Sequence, residues 1–269
     1  MRYKWLLHRL AVVWLVLLVM LAISASVLPI PDPVDVHVEK ILLQPGPHSL
    51  AGTDELGRDV LSRLIFAARV SLFITACATT LAVTLGALLG TLAGLLGGAV
   101  DRVVAFGVDF FWSVPFIVFV VLVVAVVGVT SITLVLTIGL INWVSSARVF
   151  RETAIVLKQE QFIRTARAYG FSDWQVAIHH LLPNLRRTMA AMVAYGAVEV
   201  MVLESGLAFL GLGLPAPRPT WGGMLAEGLA YFSSAWWLVV APAMALTLTL
   251  ASFQVLAHSF ELSGGATNE

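Results

Sequence analysis

Long apolar runs separated by shorter polar segments dominate the sequence of this chain. Six of the runs are continuously apolar, without the alternation expected of barrel strands, and this pattern predicts helices. At about 1.5 Å per helical residue, each run is long enough, or nearly so, to cross the roughly 30 Å of hydrocarbon in a bilayer. The predicted spans are residues 10–28, 70–96, 103–127, 132–147, 188–210 and 236–257.

The composition supports a membrane protein. Hydrophobic residues make up 59% of the 269 residues and charged residues only 12%, and the mean hydropathy is +0.93. Soluble domains are roughly 45–50% apolar and about 25% charged. The predicted fold class is therefore an all-α polytopic membrane protein with six transmembrane helices. The single cysteine, Cys77, lies in an apolar run and is expected to pack between helices.

Lysine and arginine are distributed unequally between the two sides of these spans. If the N-terminus is inside the cell, the inner segments hold 11 of the 16 basic residues and the outer segments hold 5. Because cytoplasmic segments carry the excess, both termini are predicted to be cytoplasmic. Arg2, Lys4 and Arg9 before the first run are typical of a signal peptide. That run is longer than a signal core of about 7–15 residues, so we interpret it as a retained helix.

These assignments predict the organisation of the whole chain. A transmembrane domain of five helices is expected to include a cytoplasmic loop and an external loop. The predicted parts are a cytoplasmic N-terminus at 1–9, a first helix at 10–29, an external loop at 30–69, the transmembrane domain at 70–260 with its loops at 149–187 and 211–235, and a cytoplasmic tail at 261–269.

The second span carries a small residue at every fourth position. In a helix this spacing places the small side chains on one face, which lets a neighbouring backbone approach closely. Glycine is also common in membrane helices generally, but the regular spacing favours a face packed against another helix. The residues are Ala78, Ala82, Gly86, Gly90 and Gly94.

The segment between the fourth and fifth spans is polar, basic and helix-forming. Gly170 is suited to end a first helix, and Ser172 or Asp173 is suited to cap a second helix that starts at Trp174. Pro183 is expected to end the second helix or redirect it into the fifth span. Most helix–helix connections run about 2–8 residues, so a segment of this length favours a docking knob over a plain linker.

This segment resembles the EAA loop of ABC-transporter permeases, which docks on the ATPase subunit. The family pattern is Glu-Ala-Ala, three residues, Gly, nine residues, Ile, one residue and Leu-Pro. The chain matches it at Ala166, Gly170, Leu182 and Pro183, and departs from it at Arg164, Thr165 and His180. The resemblance implies an ATPase-coupling surface formed by Arg164, Thr165, Ala166, Arg167, Gly170, Asp173, Trp174 and Pro183.

Two outer segments are similar to the C-type permeases of the dipeptide, oligopeptide and nickel branch. Their glycines allow turns, and their charged residues can pair locally. The segments form either a salt-bridged cap over the helix bundle or a rim that receives a substrate-binding protein, and both interpretations stay open. The residues are Gly52, Thr53, Asp54, Gly57, Arg58, Asp59 and Arg63 before the second span, and Gly211, Gly213 and Trp221 after the fifth.

Three acidic residues lie in or near the predicted spans. An acidic residue at the membrane centre costs roughly 2.5–3.5 kcal/mol to insert. Glu199, near the middle of the fifth span, is therefore expected either to be neutralised between helices or to line the translocation path. Glu204, nearer the outer end, is expected to have a gate or packing role, and Asp109 to anchor a kinked helix before Pro115.

No catalytic or metal site is predicted. Four of the six histidines are dispersed, and the adjacent His179 and His180 point about 100° apart on a helix. The chain has no Gly-x-x-x-x-Gly-Lys-Ser/Thr loop, and no catalytic triad, paired CxxC motif or basic nucleic-acid-binding stretch. The chain is thus expected to bind no cofactor itself, with ATP and magnesium bound by partner ATPase subunits.

The resemblance implies a non-catalytic permease subunit of an ATP-driven importer in the bacterial inner membrane. Peptides are the first expected solute, and nickel or a nickel chelate the second. The implied partners are a homologous second permease, two ATPase subunits, an external substrate-binding protein and the lipid bilayer, with no nucleic acid. The rival classes are a secondary transporter that uses Glu199 as proton carrier, a membrane-embedded enzyme, and a structural scaffold.

Overall fold

The computed structural model describes residues 2–47 and 49–265, and all their side chains except those of residues 2–4, 167 and 261–265. The end of the predicted tail, 266–269, lies outside the described residues. The chain folds into helices α1 (Arg2–Ser24), α2 (Val60–Leu96), α3 (Gly98–Ser113), α4 (Phe116–Val127), α5 (Ser131–Lys158), α6 (Gln161–Ala168), α7 (Asp173–Val176), α8 (Leu182–Phe209), α9 (Trp221–Leu229) and α10 (Trp237–Gly265).

The all-α class of a polytopic membrane protein is confirmed. Five helices of the described chain are long and apolar enough to cross a membrane, and the number is six if the bent pair of α3 and α4 forms one span. The pair meets at an angle of 85°. The predicted third span is therefore broken. Pro115 has no backbone N–H, so a continuous helix would lose a hydrogen bond at this position.

The bundle is built around a close contact between α2 and α5. The small residues spaced along α2 face α5, as the sequence predicted. A β-carbon added at Gly94 would lie 2.6 Å from the carbonyl oxygen of Arg151, and one at Gly86 would lie 2.8 Å from the backbone nitrogen of Ala147. The two backbones approach so closely that only glycine fits at these positions.

Replacing Gly90 with alanine tests this contact. The new β-carbon would lie 3.0 Å from the Cα of Ala147 and nearer still to its carbonyl oxygen. The helices must move apart, and overpacking of this kind costs roughly 1–3 kcal/mol. We expect Gly90→Ala to lower the thermal unfolding midpoint of the purified subunit in detergent.

Gly206→Ala is the matched control for Gly90→Ala. Gly206 is also within a membrane helix, but a β-carbon there would meet nothing within 4 Å. Since alanine is a better helix former by roughly 0.5–1 kcal/mol, Gly206→Ala should leave the midpoint unchanged or raise it. Equal midpoints for the two variants would show that the α2–α5 contact is not tight.

The membrane helices extend beyond their predicted apolar runs. α1 begins at Arg2 and α2 at Val60, α5 continues to Lys158 and α10 to Gly265, and the helical stretch of the fifth span begins at Asp173. The polar residues that flank the runs are mostly good helix formers, so the helices continue after the apolar pattern ends. Parts of the predicted loops at 30–69 and 149–187 are therefore ends of long helices.

The two outer segments lie at one end of the bundle, and the segment that resembles the EAA loop lies at the opposite end. The start of α2 and the end of α8 meet at one end, where α9 packs between them and α10. The C-terminal ends of α2 and α5 meet at the other end, where the ammonium group of Lys158 donates a 2.7 Å hydrogen bond to the carbonyl oxygen of Leu95. α6 and α7 follow directly after this second end.

Candidate functional site

The segment that resembles the EAA loop folds as two short helices with a glycine elbow. α6 ends just before Gly170, whose φ of +87° lies in the left-handed region, and the backbone N–H of Phe171 returns to the carbonyl of Ala166 at 3.2 Å. Ser172 then caps α7 in a capping box with Gln175. The glycine is needed because a left-handed conformation is costly for other residues.

The inner side of this elbow packs onto the end of the helix bundle. Ile163 of α6 and Val176 of α7 are fully buried, in one apolar cluster with Leu95 of α2, Phe150 of α5 and Leu185 of α8. Protein interiors are close-packed and resist compression. The elbow is therefore in direct contact with three membrane helices.

The outer side of the elbow carries exposed aromatic residues and a groove. Tyr169 is 81% exposed and Trp174 is 60% exposed. The groove has a volume of about 670 Å³, and Phe162, Phe171 and His180 are among the residues that line it. The His180 ring contacts the Phe171 ring edge to face, at a centroid distance of 5.6 Å. An apolar surface on a polar segment is typical of a protein-docking site.

The remaining predicted coupling residues divide between the groove and the surface. Thr165 and the buried Ala166 line the groove, so Ala166 forms part of its floor. Arg164 and Asp173 are exposed. Arg167 belongs to α6, but its side chain lies outside the described residues.

Pro183 does not end the second helix. α7 continues through a π-helical stretch, Ala177–Leu181, into α8, and the helical path is continuous from Asp173 to Phe209. The backbone N–H of Leu182 bonds the carbonyl of Ala177, five residues earlier. The wider π turn accommodates Pro183, which has no N–H to donate. The elbow is thus joined to the fifth span by a continuous helix, where the sequence predicted an end or a redirection at Pro183.

At the opposite end of the bundle, the first outer motif forms a buried ionic cluster. Asp54 is 2% exposed, and its carboxylate accepts hydrogen bonds from Arg63 and, at 2.7 Å, from Arg58. The Arg63 guanidinium also donates to Glu227 of α9 at 2.7 Å, and Arg58 donates to Glu55 at 2.8 Å. The cluster connects the loop before α2 with α9.

Backbone bonds fix the turn around this cluster. The Asp59 carboxylate accepts from the N–H of Ser62 at 2.8 Å and so caps α2. The Thr53 hydroxyl accepts from the N–H of Leu43, also at 2.8 Å. Gly52 and Gly57 have positive φ angles of 76° and 73°, and a β-carbon at Gly52 would lie 2.7 Å from the indole nitrogen of Trp237. The salt-bridged cap expected as one alternative is therefore present.

The second outer motif turns the chain from α8 towards α9. Gly211 has a φ of +78°, and the N–H of Leu212 bonds the carbonyl of Leu207 at 2.8 Å, so the turn is a glycine C-cap. A β-carbon at Gly213 would lie 2.5 Å from the Cα of Ala208. Trp221, which is fully buried at the start of α9, donates from its indole nitrogen to the carbonyl of Leu64 at 3.2 Å.

The two acids of α8 have different surroundings. Glu199 is exposed on the surface of the chain and hydrogen-bonds to Ser145 of α5. Glu204 is 1% exposed, and one carboxylate oxygen accepts from Ser71 at 3.5 Å and from Ser205 at 3.4 Å. Its other oxygen has no hydrogen-bond partner in the described part of the chain. Glu204 thus lies buried in the junction of α2 and α8, and the gate or packing role expected for it stays a prediction.

Sequence reasoning missed two contributors to these sites. Glu227 completes the ionic cluster from a position far along the chain from Arg63, and nothing in the local sequence marks it. His180 was considered as a metal ligand and as a departure from the family pattern, but its place in the elbow groove was not predicted. In the described residues, no three His, Cys, Asp or Glu side chains are arranged to hold a metal ion.

Comparison with known proteins identifies the family. Residues 86–262 match the family described as "Binding-protein-dependent transport system inner membrane component". The chain is 29% identical to the dipeptide transport system permease protein DppC of Bacillus subtilis, over 94% of this chain and 81% of that protein. It is 30% identical to DppC of Alkalihalophilus pseudofirmus, over 93% and 83% of the two chains.

A third relative is the oligopeptide transport system permease protein OppC of Escherichia coli. The identity is 35% over 76% of this chain and 68% of that protein. The family match includes the α2–α5 contact from Gly86 onwards, the elbow and the glycine turn after α8. The chain is therefore a membrane-spanning permease subunit that belongs to the family of inner membrane components of binding-protein-dependent transport systems.

Proposed function

We propose that this chain is half of the translocation pathway of an ATP-driven peptide importer in the bacterial inner membrane. The observation that carries the proposal is the elbow between α6 and α7, which has an aromatic outer surface and a buried inner surface. Such an arrangement receives force from a partner and passes it to the membrane helices. Binding-protein-dependent transport, the activity of the family, requires a coupling of this kind.

In this mechanism, two ATPase subunits dock on the elbows of this chain and of a homologous second permease. ATP, with magnesium, is bound by the ATPases. When the ATPases close, they displace α6 and α7, and the buried contacts of Ile163 and Val176 carry that displacement to α2, α5 and α8. The helices then alternate as rigid bodies between inward-open and outward-open arrangements.

The opposite end of the bundle is proposed to receive the substrate-binding protein. The ionic cluster holds the loop before α2 against α9 and gives that end a fixed shape. Gly211 and Gly213 form a turn beside α9, and together with Glu227 they line an open groove of about 510 Å³. A rigid, grooved rim suits repeated docking of a soluble partner better than a mobile loop does.

Peptides are the proposed solute because relatives from three bacteria are named as dipeptide or oligopeptide permeases. Nickel or a nickel chelate is the second candidate, on the branch resemblance of the outer motifs alone. Competition between labelled dipeptides and a nickel chelate for uptake by the assembled transporter distinguishes the two solutes.

The energy source separates this proposal from an ion-driven secondary transporter. Membrane vesicles that contain the assembled transporter are loaded with ATP and treated with ionophores that collapse the ion gradients. We expect uptake to continue under these conditions and to stop when ATP is removed. Uptake that follows the gradients and ignores ATP would contradict the proposal.

Glu199 is proposed to line the path, since it is exposed on this chain at the level of Ser145 in α5. Removing its charge should change passage and leave docking intact. We expect Glu199→Gln to alter the uptake rate of charged peptides while the ATPases still co-purify with the permease. Unchanged uptake across several peptides would assign Glu199 to packing.

A further inference from the structure

The break between α3 and α4 carries an inference that rests on the proposed function. α3 ends at Ser113 and α4 begins at Phe116, at an angle of 85°. The break lies in the middle of the predicted third span, and Pro115, the residue before α4, has no N–H. Backbone groups freed within hydrocarbon are tolerated only where protein buries them or where they line a water-filled cavity.

This chain does not bury the break. Trp112, Ser113 and Pro115 are all exposed. The Ser113 hydroxyl donates to the carbonyl of Phe110 at 2.8 Å, and the N–H of Val118 bonds the carbonyl of Pro115 at 2.9 Å. These bonds satisfy part of the freed backbone, and the rest must meet water or a partner.

The charged side chains beside the break indicate that it faces water and not lipid. Asp109 of α3 faces Arg148 of α5 at 3.8 Å, and its side chain is 75% exposed. The Arg148 guanidinium also lies 3.9 Å above the ring of Trp112. An exposed and loosely paired carboxylate and guanidinium cannot face lipid tails without a large cost.

A groove continues from this pair between α3 and α5. Its volume is about 260 Å³, and Asp109, Arg148, Arg151 and Glu152 are among the residues that line it. Arg151 is bound to Asp101 through both carboxylate oxygens. Four charged residues therefore share the groove lining with small apolar residues such as Val104 and Ala147, and the charged groups suit a hydrated and charged solute.

We infer that the exposed side of the α3–α4 break, from Asp109 to Pro115, lines the inner half of the solute path. This surface carries positive and negative groups, which complement the charged amino and carboxyl ends of a peptide. The second permease subunit would face this surface across the water-filled path and would not bury it.

Cysteine labelling tests the inference in the assembled transporter. The chain has one cysteine, so Cys77→Ala provides a background without thiols in this subunit. The ATP-driven uptake of the Cys77→Ala transporter is measured first. This measurement tests the proposed function and not the inference about the α3–α4 break. Ser113→Cys is then introduced into the active parent and treated with a membrane-impermeant cationic thiosulfonate in inside-out vesicles, with ATP withheld.

We expect the reagent to label Ser113→Cys and to cause loss of most ATP-driven uptake. Val16→Cys is the matched negative control, because Val16 lies on the exposed apolar side of α1, and it should stay unlabelled with uptake intact. The ATP-driven uptake of Ser113→Cys before treatment is the reference against which the loss is measured.

Two results would overturn the inference while leaving the proposed function in place. One is an active parent in which Ser113→Cys resists the charged reagent but reacts with a membrane-permeant maleimide, which indicates burial against lipid or the second permease. The other is full labelling of Ser113→Cys with no loss of uptake, which indicates a surface outside the path.

Discussion

Gly170→Pro is expected to abolish ATP-driven uptake while the permease still inserts into the membrane. Gly170 has a φ of +87°, whereas the proline ring fixes φ near −65°. The elbow between α6 and α7 cannot form with proline at this position, and the aromatic groove loses its shape. Uptake is measured in vesicles, and the amount of full-length permease in the membrane is measured in parallel.

A graded series of substitutions at Gly170 separates backbone conformation from crowding. A β-carbon at this position would meet nothing within 4 Å, so side-chain size alone should have little effect. Asparagine visits the left-handed region readily, whereas most residues lose roughly 1–2 kcal/mol there. Gly170→Asn should therefore retain uptake and Gly170→Ala should lose part of it. Normal uptake by Gly170→Pro would contradict the proposed role of the elbow.

Asp54→Asn is expected to cause the largest loss of stability. The Asp54 carboxylate pairs with Arg58 and Arg63 and also accepts from the backbone N–H groups of Leu56 and Arg58, each at 2.9 Å. Removing one partner of a buried ionic cluster leaves uncompensated charge and costs about 3–5 kcal/mol. The thermal unfolding midpoint should fall by on the order of 10 °C for a chain of this size.

Glu39→Gln is the control for Asp54→Asn, because it makes the same change of acid to amide in the same outer loop. The Glu39 side chain is 70% exposed, and within the described residues its ion pair is with His37, at 3.5 Å. Exposed pairs contribute roughly 0–1 kcal/mol, so its midpoint should hardly change. If Asp54→Asn is as stable as Glu39→Gln, the ionic cluster does not hold the outer end together.

Local and periodic features of this fold were predictable from the sequence. The regular spacing of Ala78 to Gly94 identified the face of α2 that packs closely. Gly170 and Ser172 identified the elbow, since a helix end and a helix cap each depend on a few neighbouring residues. The length and polarity of the segment predicted a docking knob, and the resemblance to the EAA loop implied that its partner is an ATPase.

Features that depend on distant residues or on backbone adjustment were not predictable. The pairing of Arg63 with Glu227 joins positions that only the folded bundle brings together. Pro183 was expected to end or redirect a helix, and a π-helical turn keeps the helix continuous instead. Pro115 indicated a kink, but the sequence contains no measure of the 85° bend between α3 and α4.

Photo-crosslinking from Tyr169 tests the docking of the ATPase most directly. Benzoylphenylalanine replaces Tyr169, which is 81% exposed beside the groove, and in a second variant it replaces Phe232, which is 52% exposed at the opposite end. The whole transporter is irradiated, purified through a tag on this chain, and the crosslinked subunit is identified by mass spectrometry. The proposal predicts a crosslink from position 169 to a subunit that binds ATP, and none to that subunit from position 232. An ATP-binding subunit captured from position 232 and not from 169 would contradict it.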